Sequence, residues 1–107
     1  MAEELLLVFS TFPDTQTAQA IGKTLVEEKL AACVNLIPGI ESIYRWEGKV
    51  EAANEVVALI KTTIGQYQQL ETRVKALHPY QVPEIVSVSP VGGLPDYLNW
   101  AVQACNG

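Results

Sequence analysis

The sequence predicts an α+β domain whose elements run βαββαβ and finish on a C-terminal helix. Three observations predict it. Residues 5–9, Leu-Leu-Leu-Val-Phe, are apolar throughout, as a strand covered on both faces requires. Residues 31–63 carry two strand-like arms around one tight turn. A segment with helical spacing follows each of the first and third strands. A split βαβ of this kind gives a four-stranded antiparallel sheet with two helices on one face. Its first and third strands are central, and these are the two most apolar strands here. At 107 residues the chain is expected to form one domain, 1–107.

The first strand ends at Ser10-Thr11-Phe12-Pro13. Asp14 is a good N-cap for a helix running to about Lys29. Ala18, Ile21, Leu25 and Leu30 mark its buried stripe. The first hairpin arm, residues 33–45, alternates: Val34, Leu36, Ile40 and Tyr44 are expected on one face, Cys33, Asn35, Glu41 and Arg45 on the other. Pro38-Gly39 suits a bulge. The tip is Trp46-Glu47-Gly48-Lys49, where Gly48 can take a positive φ. The second arm ends in five apolar residues, Val56 to Ile60, which suit a strand buried on both faces.

An arm of about 13 residues spans roughly 40 Å, twice a typical strand. So small a domain cannot cover both faces of such a ribbon, so its outer half is expected to be covered by another copy of the chain. Gly65 is expected to separate the second arm from a helix over residues 66–77, with Tyr67, Leu70, Val74 and Leu77 on one face. His78-Pro79-Tyr80-Gln81-Val82-Pro83 reads as a rigid connector. Residues 84–89 are expected to be the fourth strand. Gly92-Gly93 turns the chain and Pro95 opens the last helix, residues 95–104. Leu98, Ala101, Val102 and Cys105 form its stripe.

Composition excludes several classes. Forty-nine per cent hydrophobic residues can form an ordinary core without a disulfide or metal staple. A net charge of −5 argues against a nucleic-acid partner, which would need a basic face. Two distant cysteines with no CxxC suggest neither a disulfide framework nor a structural zinc site. No apolar run approaches the ~20 residues of a membrane span. Met-Ala-Glu-Glu lacks the basic start of a signal peptide, so the expected compartment is the cytoplasm. Enzymatic signatures are also missing. No basic residue stands in the first β-α loop to hold a phosphoryl group, and no glycine-rich phosphate loop is present. Nothing places a nucleophile beside the single histidine.

Two candidate chemistries remain. Cys33, Cys105 and His78 are soft or borderline metal ligands, though none of their spacings is a metal motif. Cys33 reads either as a small hydrophobe or as a copper ligand. Cys105 lies on an apolar stripe and reads as core. His78 reads either as a helix C-terminal cap or as a ligand or proton donor in a cleft. The second chemistry is a polar and aromatic group: Asn35, Tyr44, Trp46, Lys61, His78, Tyr80, Glu84 and Trp100. Lys61 closes a buried strand and needs a partner, which Glu84 is expected to supply. That pair is either a salt bridge at a subunit interface or part of a small-ligand pocket where subunits meet.

Five motifs in order carry a resemblance over essentially the whole chain. They are Lys29-Leu30-Ala31-Ala32-Cys33-Val34-Asn35, Ser42-Ile43-Tyr44-Arg45-Trp46-Glu47-Gly48-Lys49, Ile60-Lys61-Thr62, His78-Pro79-Tyr80-Gln81-Val82-Pro83-Glu84-Ile85 and Tyr97-Leu98-Asn99-Trp100. With these the sequence resembles the CutA divalent-ion-tolerance family. The resemblance implies a ferredoxin-like fold in a homotrimer, packed through long hairpins in the manner of the PII-type signalling proteins. It implies a non-enzymatic role in tolerance to copper and other divalent cations. It marks Cys33 as the best copper-ligand candidate, acting with His78, carboxylates or another subunit. Trp46, Lys61, His78, Tyr80, Glu84 and Trp100 match the family's cleft, where a PII-like small-molecule sensor would hold its ligand. Where many relatives have a further cysteine before the first-loop proline, this chain has Phe12, which argues against a multi-thiolate site in one subunit.

Overall fold

The computed structural model describes residues 4–106, and the signal-peptide reading of residues 1–3 lies outside the described residues. The elements are β1 (Leu5–Phe12), α1 (Thr15–Glu27), β2 (Cys33–Trp46), β3 (Lys49–Thr63), α2 (Ile64–Leu77), β4 (Val86–Val88) and α3 (Pro95–Ala104). They form one antiparallel sheet in the order β2-β3-β1-β4. β1 and β3 are therefore central, as their apolar content predicts.

Alternation along β1 and β3 builds two cores. Val8, Phe12, Val56, Ala58 and Ile60 face α1 and α2, where they meet Ala18, Ile21, Leu25, Leu70 and Val74. On the opposite face α3 seats Ala101 and Cys105 against Leu5 and Ala32. Cys105 is 2% exposed, a core residue as its stripe predicts.

The helix ends show how side chains set boundaries. Asp14 caps α1 by accepting from the Thr17 amide at 2.7 Å, and that bond lowers the Asp14 pKa. α1 stops at Glu27, before Lys29, which takes a left-handed φ of 61°. α2 begins earlier than Gly65 suggests. The Thr63 hydroxyl accepts from the Gln66 amide and draws Ile64 and Gly65 into the first turn. β1 runs three residues further than residues 5–9, because β3 offers partners out to Val56 opposite Phe12. β4 keeps only three residues, since it pairs with β1 only from Leu7 to Phe9.

The main correction concerns the hairpin. The register passes from Ile37 opposite Val57 to Ile40 opposite Glu55, so β2 gains a residue at Pro38-Gly39. Gly39 supports this bulge with a φ of 76°. One extra residue inverts which side chains face which way. Val34 and Leu36 stay on the helix-covered face, opposite Ile60 and Ala58. Ile40 and Tyr44 instead join Cys33 and Asn35 on the other face, and Ile43 and Arg45 take the helix side. Simple alternation had placed Val34, Leu36, Ile40 and Tyr44 together.

Beyond the bulge the hairpin leaves the body of the domain. The molecule measures 46 × 26 × 22 Å. On the helix side of the projecting ribbon Ile43 is 71% and Val50 66% exposed.

Candidate functional site

The structure divides the sequence-predicted site residues between two places along the sheet. Cys33, Leu7 and Lys61 share a rung across β2, β3 and β1. The Lys61 ammonium donates to Asn35 Oδ1, and its Nζ lies 5.8 Å from the Tyr97 ring centroid. Cys33 Sγ stands 3.7 Å from the same Asn35 oxygen. Trp100 packs on Tyr97 with ring centroids 5.6 Å apart. Cys33, Asn35, Lys61 and Trp100 therefore form one cluster at the edge of α3.

Trp46, His78, Tyr80 and Glu84 lie at the other end. Glu55 is six residues along β3 from Lys61, about 20 Å. There the connector after α2 crosses the end of β1. His78 is buried, and its ring stacks on Phe12 with centroids 4.6 Å apart and planes 17° from parallel. Both ring nitrogens are engaged. Nε2 donates to the Thr11 carbonyl at 2.8 Å, and Nδ1 accepts from the Tyr80 amide at 3.1 Å. This pairing demands the neutral imidazole. Burial pushes the His78 pKa down, against smaller opposing effects of the Thr11 carbonyl and Glu55. A metal would have to displace one of those bonds.

Tyr80 continues the chain of contacts. Its hydroxyl donates to Glu55 Oε2 at 2.6 Å. Burial first, and then the Glu55 carboxylate, push the phenol pKa well above its usual value. Tyr80, Tyr44, Trp46, Glu55 and Glu84 line a cleft of about 890 Å³ between the hairpin and the connector. The volume lies within the range of small-molecule sites, about 300–1,000 Å³.

The expected Lys61–Glu84 pair does not form. β4 pairs Val88 with Leu7, on the Lys61 rung, while Glu84 sits four residues further along, at the cleft. That offset is about 13 Å of strand. Among the described residues the only salt bridge is Arg73–Glu28, at 2.8 Å. Asn35 takes the place expected of Glu84. Reading the sequence also missed Glu55, Phe12 and Tyr97. Glu55 has no motif to announce it, since its role depends on which residue the connector brings across the sheet. No group of three or more His, Cys, Asp or Glu side chains suited to a metal ion occurs among the described residues.

Fold and clefts together define a small α+β sandwich protein with a projecting hairpin. Comparison with known proteins gives the family. Residues 6–104 match the family described as CutA1 divalent ion tolerance protein, and the chain belongs to it. It is 51% identical to the divalent-cation tolerance protein CutA of Thermus thermophilus over 98 residues, 92% of this chain and 93% of the relative. It is 42% identical to the chloroplastic CutA protein of Arabidopsis thaliana over 89% of this chain and 52% of that longer protein. The crystal structure of CutA from Xylella fastidiosa superposes with a TM-score of 0.94 at 45% identity, covering 96% of this chain and 99% of that one. These names describe tolerance of divalent cations, not catalysis. No helix among the described residues is long and apolar enough to cross a membrane.

Proposed function

We propose that this protein serves divalent-cation tolerance, copper included, as a non-enzymatic homotrimer in the cytoplasm. The observation that carries the reading is the 51% identity to a divalent-cation tolerance protein across nearly the full length of both chains. Support for self-assembly comes from Ile43 and Val50, the exposed apolar residues on the helix side of the hairpin. They are diagonal neighbours across β2 and β3, and an apolar patch on a projecting ribbon is a natural surface for a second copy. Support for a reducing compartment comes from Cys33, a partly exposed free thiol.

Metal contact is assigned to Cys33, the partly exposed thiol. The Lys61 ammonium on the same rung opposes a cation there. Further ligands, carboxylates or His78, would therefore come from another subunit. The test is a titration with Cu(I) and Cu(II) separately, beside Cys33→Ser. Binding lost in the variant supports direct metal handling. Weak binding unchanged in the variant rejects it. Native mass measurement of Ile43→Lys reads the assembly: the variant should dissociate at concentrations where the parent stays trimeric.

The cleft between hairpin and connector favours a second reading, a PII-like trimer that senses a small molecule. Its support is the juxtaposition of Tyr44, Trp46, Tyr80, Glu55 and Glu84 around one concavity.

A further inference from the structure

We infer that the cleft between the hairpin and the connector takes a small organic ammonium cation. The inference rests on the small-molecule reading of that cleft and names the ligand's chemical class. It starts from the lining. Three aromatic side chains, Tyr44, Trp46 and Tyr80, border the cleft together with two carboxylates, Glu55 and Glu84. No lysine, arginine or histidine is among the lining residues. Lys49 stands opposite Trp46 at the hairpin tip but lies outside the cleft.

An aromatic face carries negative charge density and attracts a cation held within about 6 Å of its centroid. A weakly hydrated ammonium uses such faces best, because it gives up little water on entering. The carboxylates add charge complementarity. Glu55 spends Oε2 on the Tyr80 hydroxyl and leaves Oε1 without a hydrogen-bond partner among the described residues. Glu84 is exposed and has no ion-pair or hydrogen-bond partner among them. The Tyr80–Glu55 bond also holds the Tyr80 phenol in a fixed orientation, so the ring is set before a ligand arrives.

The bulge makes the arrangement possible. It turns Ser42, Tyr44 and Trp46 onto the face of Ala53 and Glu55, where the connector crosses. Val50 takes the opposite face of the same ribbon, and Ile43, which shares that face by register, also borders the cleft.

The test titrates the full chain with three probes of similar shape and different charge: tetramethylammonium, tert-butyl alcohol and pivalate. Backbone amide shifts of residues 42–46 and 79–84 are followed by NMR. The expected result is saturable binding of tetramethylammonium, without comparable binding of the neutral or anionic probe. Glu84→Gln and Trp46→Leu should each weaken it by about threefold to tenfold. Glu84 is exposed, so Glu84→Gln reads the charge without disturbing the core. Equal binding of tert-butyl alcohol, or preference for pivalate, overturns the cation assignment and leaves the small-molecule reading standing. Silence from all three probes, as when a second copy fills the cleft, overturns both.

Discussion

Cutting His78 to alanine should unfold the junction between α2 and the cleft from its weakest point. The stack on Phe12, at 4.6 Å, contributes about 1 kcal/mol. The two hydrogen bonds, to the Thr11 carbonyl and from the Tyr80 amide, contribute about 1 kcal/mol each. The void left by a ring that is 8% exposed adds about 1 more. The sum is about 4 kcal/mol, within the range of about 3–5 for buried aromatic rings cut to alanine. Chemical denaturation followed by circular dichroism measures it, with chain concentration held fixed because self-association shifts apparent stability. A loss below about 1 kcal/mol would refute the reasoning, since it would mean that neither bond nor stack survives in solution.

The same residue predicts a pH dependence. Burial lowers the folded pKa of His78 below its unfolded value, so the unfolded chain binds the proton more readily. The His78 contribution is complete above the unfolded pKa and is lost as pH falls through the lowered folded pKa. A proton on Nδ1 would also oppose the Tyr80 amide that now donates to it. His78→Phe keeps a ring against Phe12 and should lose this part of the acid sensitivity. A pH profile of the denaturation midpoint that is identical in the two proteins excludes the account.

Three other changes test the packing. Ser10 Oγ is buried without a hydrogen-bond partner among the described residues, so Ser10→Ala should be neutral or stabilising by up to about 1 kcal/mol, and a clear loss on denaturation would show that the hydroxyl is satisfied. The hairpin tip holds Glu47 at φ 50° and Gly48 at φ 82°, the signs of a type I′ turn, so Glu47→Asn should stabilise by up to about 1 kcal/mol in the same assay. The Arg73–Glu28 pair is bidentate but its side chains are 40% and 41% exposed, so Arg73→Ala should barely move the midpoint, and a large shift would reveal a screened contact misjudged as weak.

The sequence by itself determined the architecture. Apolar runs in β1 and β3 required the centre of the sheet, because only there are both faces covered. Asp14 announced the start of α1 and Pro95 that of α3, since caps and proline act over one turn. Cys105 was legible as core from helical spacing. Five short motifs pointed to the family. What the tertiary structure decided was who faces whom. Pro38-Gly39 was readable as a bulge, but the inversion it imposes on Ile40 and Tyr44 follows only from the register with β3. Lys61 needed a partner, and local alternation could not say that Asn35, two rungs from Cys33's neighbour strand position, would reach it before Glu84. The Tyr80–Glu55 contact joins residues 25 apart across two elements. Such contacts depend on where a connector crosses a sheet. That crossing is set by the packing of α2 and the short reach of β4, and no local pattern of residue types encodes it.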